Sequence, residues 1–168
     1  MAMSPTVQLF VDAYKFNRDR TLGLLDKVCQ QADPQQALSW RPGPGRAHIG
    51  WQLMHIGITE EIFATERLNP QRPPAFADLW PRFRGGSTPE DLAPPAEELR
   101  RVLNESRAHL VETLSAYTDD RLGEIPPAMA ARKLTVRDIL GLISWHEAHH
   151  QGQAHITLNL YLATLAKN

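Results

Sequence analysis

The chain has 168 residues, 42% of them apolar and 22% charged, with a formal net charge of -1. That length suits one domain around one core, and the composition is too apolar for a disordered chain and too neutral for a protein held to nucleic acid by phosphate contacts. No run of about 18 apolar residues marks a membrane span, Cys29 has no internal partner, and residues 1–5 do not read as a secretion signal. A soluble, reduced, cytoplasmic protein with neither a nucleic-acid nor a membrane partner is expected.

The first predicted helix covers residues 5–31. Ser4 and Pro5 suit an N-cap and a first helical position. Val7, Phe10, Val11, Tyr14, Leu22, Leu25, Val28 and Cys29 recur at helical spacing, and Asn17 and Arg18 interrupt the stripe. Asp33-Pro34 ends this helix, and Arg41-Pro42-Gly43-Pro44-Gly45 is no helix interior.

A second helix is predicted over 48–68, with Trp51, Leu53, Ile56 and Phe63 inward and His55 among them. Residues 69–95 are rich in proline and glycine and read as a crossover with at most one short helix. Thr88-Pro89-Glu90-Asp91 within it looks like a helix start. The third helix, over 95–117, would turn Leu99, Val102 or Leu103, Ser106, Leu110 and Leu114 inward.

Residues 119–133 connect to a fourth helix over 135–166, opened by Thr135 and Asp138 as a capping box. Its inner stripe is predicted as Ile139, Leu142, Ile143, His146, His150, Gln153, Thr157 and Leu160. No stretch alternates as a strand. The pattern predicts an all-α protein, a four-helix bundle formed by residues 1–168 as one domain.

Five of the seven histidines fall in two short segments. His146 and His150 are four apart and leave the same helix face, so they can grip one divalent metal. The plainer alternative is a pair of core-edge histidines with ordinary polar partners. His146-Glu147-Ala148-His149-His150 also matches the zinc-peptidase pattern. That pattern needs a third ligand downstream, yet no Asp or Glu follows Glu147, and the positions for Gly and His hold Gln153 and Ile156. A di-iron bundle would need a second Glu-x-x-His, but Gln52 stands three residues before His55. His55, mid-helix on an apolar face, can supply the third ligand instead. Three neutral imidazoles with open positions suit zinc, nickel or iron. His48 reads as a cap or rim residue, His149 as facing a neighbour or solvent, and Glu147 as a general base or, by its helix angle, a solvent-facing residue. His109 and His155 carry no signal.

Two stretches resemble the second- and fourth-helix motifs of the DinB-like (DinB/YfiT) proteins. They are Arg46-Ala47-His48-Ile49-Gly50-Trp51-Gln52-Leu53-Met54-His55-Ile56 and Trp145-His146-Glu147-Ala148-His149-His150-Gln151-Gly152-Gln153. The order of the parts fits over nearly the whole chain. The resemblance implies an up-down-down-up four-helix bundle, commonly a homodimer, with metal ligands at His55, His146 and His150. Gln153 matches a glutamine frequent one turn later. His48 stands where a small hydroxyl residue is common, which leaves a fourth ligand or a narrowed pocket open.

The activity implied is that of a metal-dependent hydrolase acting on a small-molecule substrate. The alternative is an S-transferase or isomerase using a low-molecular-weight thiol such as bacillithiol or mycothiol. A thiol route needs a pocket for an acidic or sugar-bearing cosubstrate, and Arg18, Arg82 and Arg84 are its candidates. Arg18 also reads as a snorkelling surface side chain. A third reading is a non-enzymatic metal-binding or stress-associated bundle with residues 69–95 as a docking loop.

Overall fold

Pro5 opens α1 (Pro5–Cys29) as expected, although the Ser4 side chain caps nothing. The computed structural model describes residues 3–166, so Met1, Ala2 and the last two residues of the expected domain lie outside it. The buried face of α1 runs through Val7, Tyr14, Arg18, Thr21, Leu25 and Val28, so Arg18 belongs to the inward stripe rather than breaking it. Cys29 is exposed. Asp33-Pro34 both ends α1 and starts α2 (Pro34–Ser39), because the Asp33 carboxylate accepts from the Gln36 amide at 2.9 Å and Pro34 fits the first turn.

His48 Nδ1 accepts from the Trp51 amide at 3.0 Å and so caps α3 (Ile49–Ile62), which continues as one π-helical turn, Phe63–Arg67. The expected one-sided stripe on α3 is too narrow, for nearly every residue of the helix is buried. α3 packs against α2, α4, α5 and α6. Gly50 and Gly57 permit this crowding: a Cβ on Gly50 would lie 2.4 Å from Ala93 Cβ, and one on Gly57 2.9 Å from Val102 Cγ1.

The crossover contains one short helix, α4 (Trp80–Phe83). Thr88-Pro89-Glu90-Asp91 starts no helix. Arg41 donates to the Pro89 and Glu90 carbonyls, and Arg82 pairs with Glu90 at 2.7 Å, so this segment is strapped down as a loop. α5 (Ala96–Leu114) begins after Pro95 and buries the face the spacing predicts, Leu99, Val102, Leu103, Ser106, Leu110 and Leu114. Two 3-10 turns, Asp119–Arg121 and Pro127–Arg132, lead to α6 (Val136–Leu165), which carries the Thr135–Asp138 capping box. Its inward face is rotated from the expected stripe. Ile139, Leu140, Ile143, Glu147, Ala154, Leu158 and Tyr161 are buried, His146 and His150 lie at its edge, and Gln153 and Leu160 are exposed.

The protein is all-helical, with no strand among the described residues. α1 packs on α5 and α6, and α3 packs on the same two helices. The core divides into two apolar clusters. One gathers Leu25, Leu38, Ile49, Met54 and Leu99, the other Tyr14, Phe63, Leu110 and Ile143. On α1, α5 and α6 the charged residues Arg18, Arg107 and Glu147 fall between the two. No helix among the described residues is long and apolar enough to cross a membrane.

Candidate metal centre

His55 on α3 meets His146 and His150 on α6. One ring nitrogen from each lies within 4.8 Å of the others, a group that can hold a metal ion. The one-turn spacing on α6 sets His146 and His150 with ring centroids 4.5 Å apart. His55 is buried and stacks on Trp51, centroids 4.7 Å apart and planes 13° off parallel.

Hydrogen bonds orient two of the rings. His55 Nδ1–H donates to the Phe83 carbonyl at 2.6 Å, which leaves the Nε2 lone pair free. His150 Nδ1–H donates to Gln52 Oε1 at 2.5 Å, with the same result. Gln52 Nε2 in turn donates to Gln153 Oε1 at 2.9 Å, and Gln153 Nε2 donates to His149 Nε2 at 2.7 Å. Each amide therefore has one end fixed by its neighbour, and the series runs from exposed His149 to the site. His55 Nε2 and His146 Nε2 are 3.0 Å apart. That approach needs a proton between the two nitrogens or a cation shared by them.

The electrostatics favour neutral rings. Burial, then the neighbouring His55, pushes His146 down to about 4. Burial, then His146 and His55, pushes His150 down to about 3. Burial also lowers His55. Neutral imidazole is the form that binds metal, so the donor set fits a divalent ion.

Two cavities reach the cluster. One, of about 410 Å³, touches His55 and His146. The other, of about 460 Å³, is lined by Trp51, Gln52, His150 and Gln153.

Glu147 is not solvent-facing, as its helix angle suggested. It is 1% exposed and sits in a buried quartet with Arg18, Glu60 and Arg107. Arg18 Nε donates to its Oε1 at 2.7 Å, Thr21 donates to the same oxygen at 2.9 Å, and Arg107 donates to its Oε2 at 2.5 Å. Arg18 also donates to Glu60 at 2.8 Å and to the Leu103 carbonyl. Burial alone would raise the Glu60 carboxyl, but Arg107 and Arg18 hold it below the usual carboxylate range. With both oxygens engaged by cations, Glu147 is no free base beside a metal, and the peptidase-like pattern loses its defining group.

Arg18 is thus neither a surface side chain nor a pocket residue; its charge is spent on two carboxylates. Arg82 pairs with Glu90 outside the cluster, whereas Arg84 lines the cavity at His55 and His146. His48 is a buried cap whose Nε2–H donates to the Glu90 carbonyl at 2.9 Å. With both nitrogens engaged it is no fourth ligand. His149 is exposed and stacks on Trp145. His109 pairs with buried Glu61 at 2.7 Å.

The sequence offered no pointer to the Phe83 carbonyl, and it marked Gln52 only as a departure from a di-iron pattern. Glu60 had a signal, a carboxylate inside the apolar run of α3. Nothing in one sequence pairs it with Arg107.

An all-helical protein with three histidines from two helices converging on one point is the class defined here. The chain belongs to the DinB superfamily, whose family model matches residues 13–154. It is similar in fold to a conserved protein from Enterococcus faecalis of known crystal structure, with a TM-score of 0.76 and 17% identity over 96% of this chain and 99% of that chain. No curated protein matches the sequence.

Proposed function

We propose that the protein holds one divalent transition metal (zinc, nickel or iron) on His55, His146 and His150 and acts as a metal-dependent hydrolase on a small-molecule substrate. The observation that carries this is the donor set: three imidazoles grouped within 4.8 Å, two of them turned at Nδ1 so that Nε2 is free. Three protein ligands leave coordination positions open, and a metal so held lowers the pKa of a bound water or takes a thiol as thiolate.

The chain's own residues position the rings of the site. Trp51 and the Phe83 carbonyl fix His55, Gln52 and Gln153 fix His150, and the cavities admit the substrate. Glu147 takes no part in proton transfer, because Arg18, Arg107 and Thr21 occupy its oxygens.

A second reading is thiol-dependent S-transfer or isomerisation. The two cavities favour it, since one meets the cluster at His55 and His146 and the other at His150, room for two molecules. Either reading takes residues 1–168 as one domain, a four-helix bundle with an up-down-down-up path, in a cytoplasmic homodimer. Exposed Trp145, Ile156 and Leu160 on α6 support the dimer.

The test is metal content after purification without a histidine tag. About one divalent ion per chain is expected, and His55→Ala, His146→Ala and His150→Ala should each lose most of it. Full metal in all three variants sinks the assignment. Incubating the loaded protein with an ester, an amide and an electrophile, with and without small thiols, then separates the reactions. Turnover without thiol supports hydrolysis, and thiol-dependent conjugation supports transfer. No turnover on any of them leaves a metal-binding bundle that works by interaction.

A further inference from the structure

The cavity at His55 and His146 carries a charge pattern that the metal site does not explain. Three arginines line it, Arg67, Arg84 and Arg132, and no carboxylate does. They come from three separate elements: the π-helical turn after α3, the loop after α4, and the 3-10 turn before α6. Arg67 pairs with Glu66 at 2.9 Å. Arg84 and Arg132 pair with no carboxylate among the described residues, and both are exposed. The apolar side chains of Ile62, Phe63, Met129 and Leu142 line the same cavity.

A guanidinium without a carboxylate partner presents a planar fork of N–H donors that binds a carboxylate or phosphate through paired charge-assisted hydrogen bonds. Fields of one sign are focused in such a cleft, which raises the local concentration of anions.

We propose that this cavity is an oxyanion pocket, in which Arg84 and Arg132 hold the carboxylate or phosphate end of a small molecule whose apolar body lies on Met129 and Leu142. The same cavity touches His55 and His146, so a molecule held there by its oxyanion end shares the space that meets the cluster. As a statement about substrate it rests on the metal reading above; as a statement about binding it does not.

The test is calorimetric titration of the full chain with phenylphosphonate, benzoate and neutral benzamide. Each titration is run on chelator-stripped protein and again on zinc-loaded protein. Both anions, or one of them, should bind in either form, and the one that binds more tightly names the headgroup. Benzamide should bind at least about tenfold more weakly, and Arg84→Gln and Arg132→Gln should each weaken the anion about tenfold. Both variants should keep wild-type zinc content. Arg20→Gln, at an exposed position of α1 where the guanidinium lies over the Phe16 ring, should change nothing.

The proposal is overturned if neither anion binds, if benzamide binds as well as benzoate, or if the two arginine variants match wild type. Anion binding seen only with zinc, and indifferent to the arginines, makes the metal the receptor and also overturns it. Arginine-dependent binding in a protein that takes up no zinc upholds the pocket while the metal reading fails alone.

Discussion

Arg18 Nε on α1 and Glu147 Oε1 on α6 lie 2.7 Å apart, and both residues are almost sealed from solvent. With Glu60 and Arg107 they make a charge-balanced layer of two cations and two anions. Removing one partner from such a layer leaves an uncompensated buried charge and is strongly destabilising, even where the intact layer adds little net stability. Glu147→Ala should therefore destabilise the protein by about 3–5 kcal/mol, with Tm falling about 10 °C. Urea denaturation of metal-free protein checks this. A loss under about 0.5 kcal/mol, the range of ordinary surface substitutions, would show that no uncompensated charge is left buried when Glu147 is removed.

Gln52 bonds to both His150 and Gln153. Groups that orient a metal-binding imidazole typically contribute 10–100-fold in metal affinity. Gln52→Leu keeps much of the volume and removes both bonds. It should weaken zinc binding by about 10-fold or more, as measured by competition with a chromogenic chelator. Gln153→Leu, one link further out, should have a smaller effect. Equal affinity in wild type and Gln52→Leu would mean that the bond to His150 Nδ1 is not what holds the ring.

The four long helices were legible because each carries local signals: Pro5 in a first turn, the Thr135–Asp138 box, and proline-rich breaks between. The metal cluster was legible because His146 and His150 share one helix face and His55 lies on an apolar one. The rest depended on partners. Arg18 and Glu147 each look out of place on an inward stripe when read alone, and burial becomes favourable only once Glu60 and Arg107 arrive from two other helices. The predicted stripe of α6 was rotated for the same reason: treating His146 and His150 as central pushed Glu147 outward. Thr88-Pro89-Glu90-Asp91 failed as a helix start because Arg41, Arg82 and His48 hold that backbone and side chain in a loop.

Gly50 and Gly141 make opposite predictions. A methyl group at Gly50 would lie 2.4 Å from Ala93 Cβ, inside any allowed contact, and both positions are buried. Gly50→Ala should cost about 1–3 kcal/mol by forcing α3 away from the crossover. A methyl group at Gly141, inside α6, meets nothing within 4 Å. Gly141→Ala should stabilise by about 0.5–1 kcal/mol through helix propensity and a less flexible unfolded chain. Thermal unfolding of the two variants side by side decides. Matching shifts of one sign would refute the difference in packing.

The histidine cluster also sets an acid limit on the metal-free fold. His146 and His150 have folded pKa values of about 4 and about 3, against 6.5 for a free imidazole. Between those values and 6.5 the unfolded chain binds protons that the folded chain refuses, so stability rises with pH across that window. Their contribution is complete above 6.5 and is lost as pH falls toward the folded values. Both side chains are partly open to solvent, which tempers the effect. Taking metal-free protein from about pH 7 to about pH 5 should lower Tm by roughly 5 °C, and a His146→Ala/His150→Ala variant should show a clearly flatter profile over the same range. Zinc-loaded protein should show the steeper loss, since each ligand must shed its metal to take a proton. If the double variant follows wild type across this window, the acid sensitivity belongs to other groups.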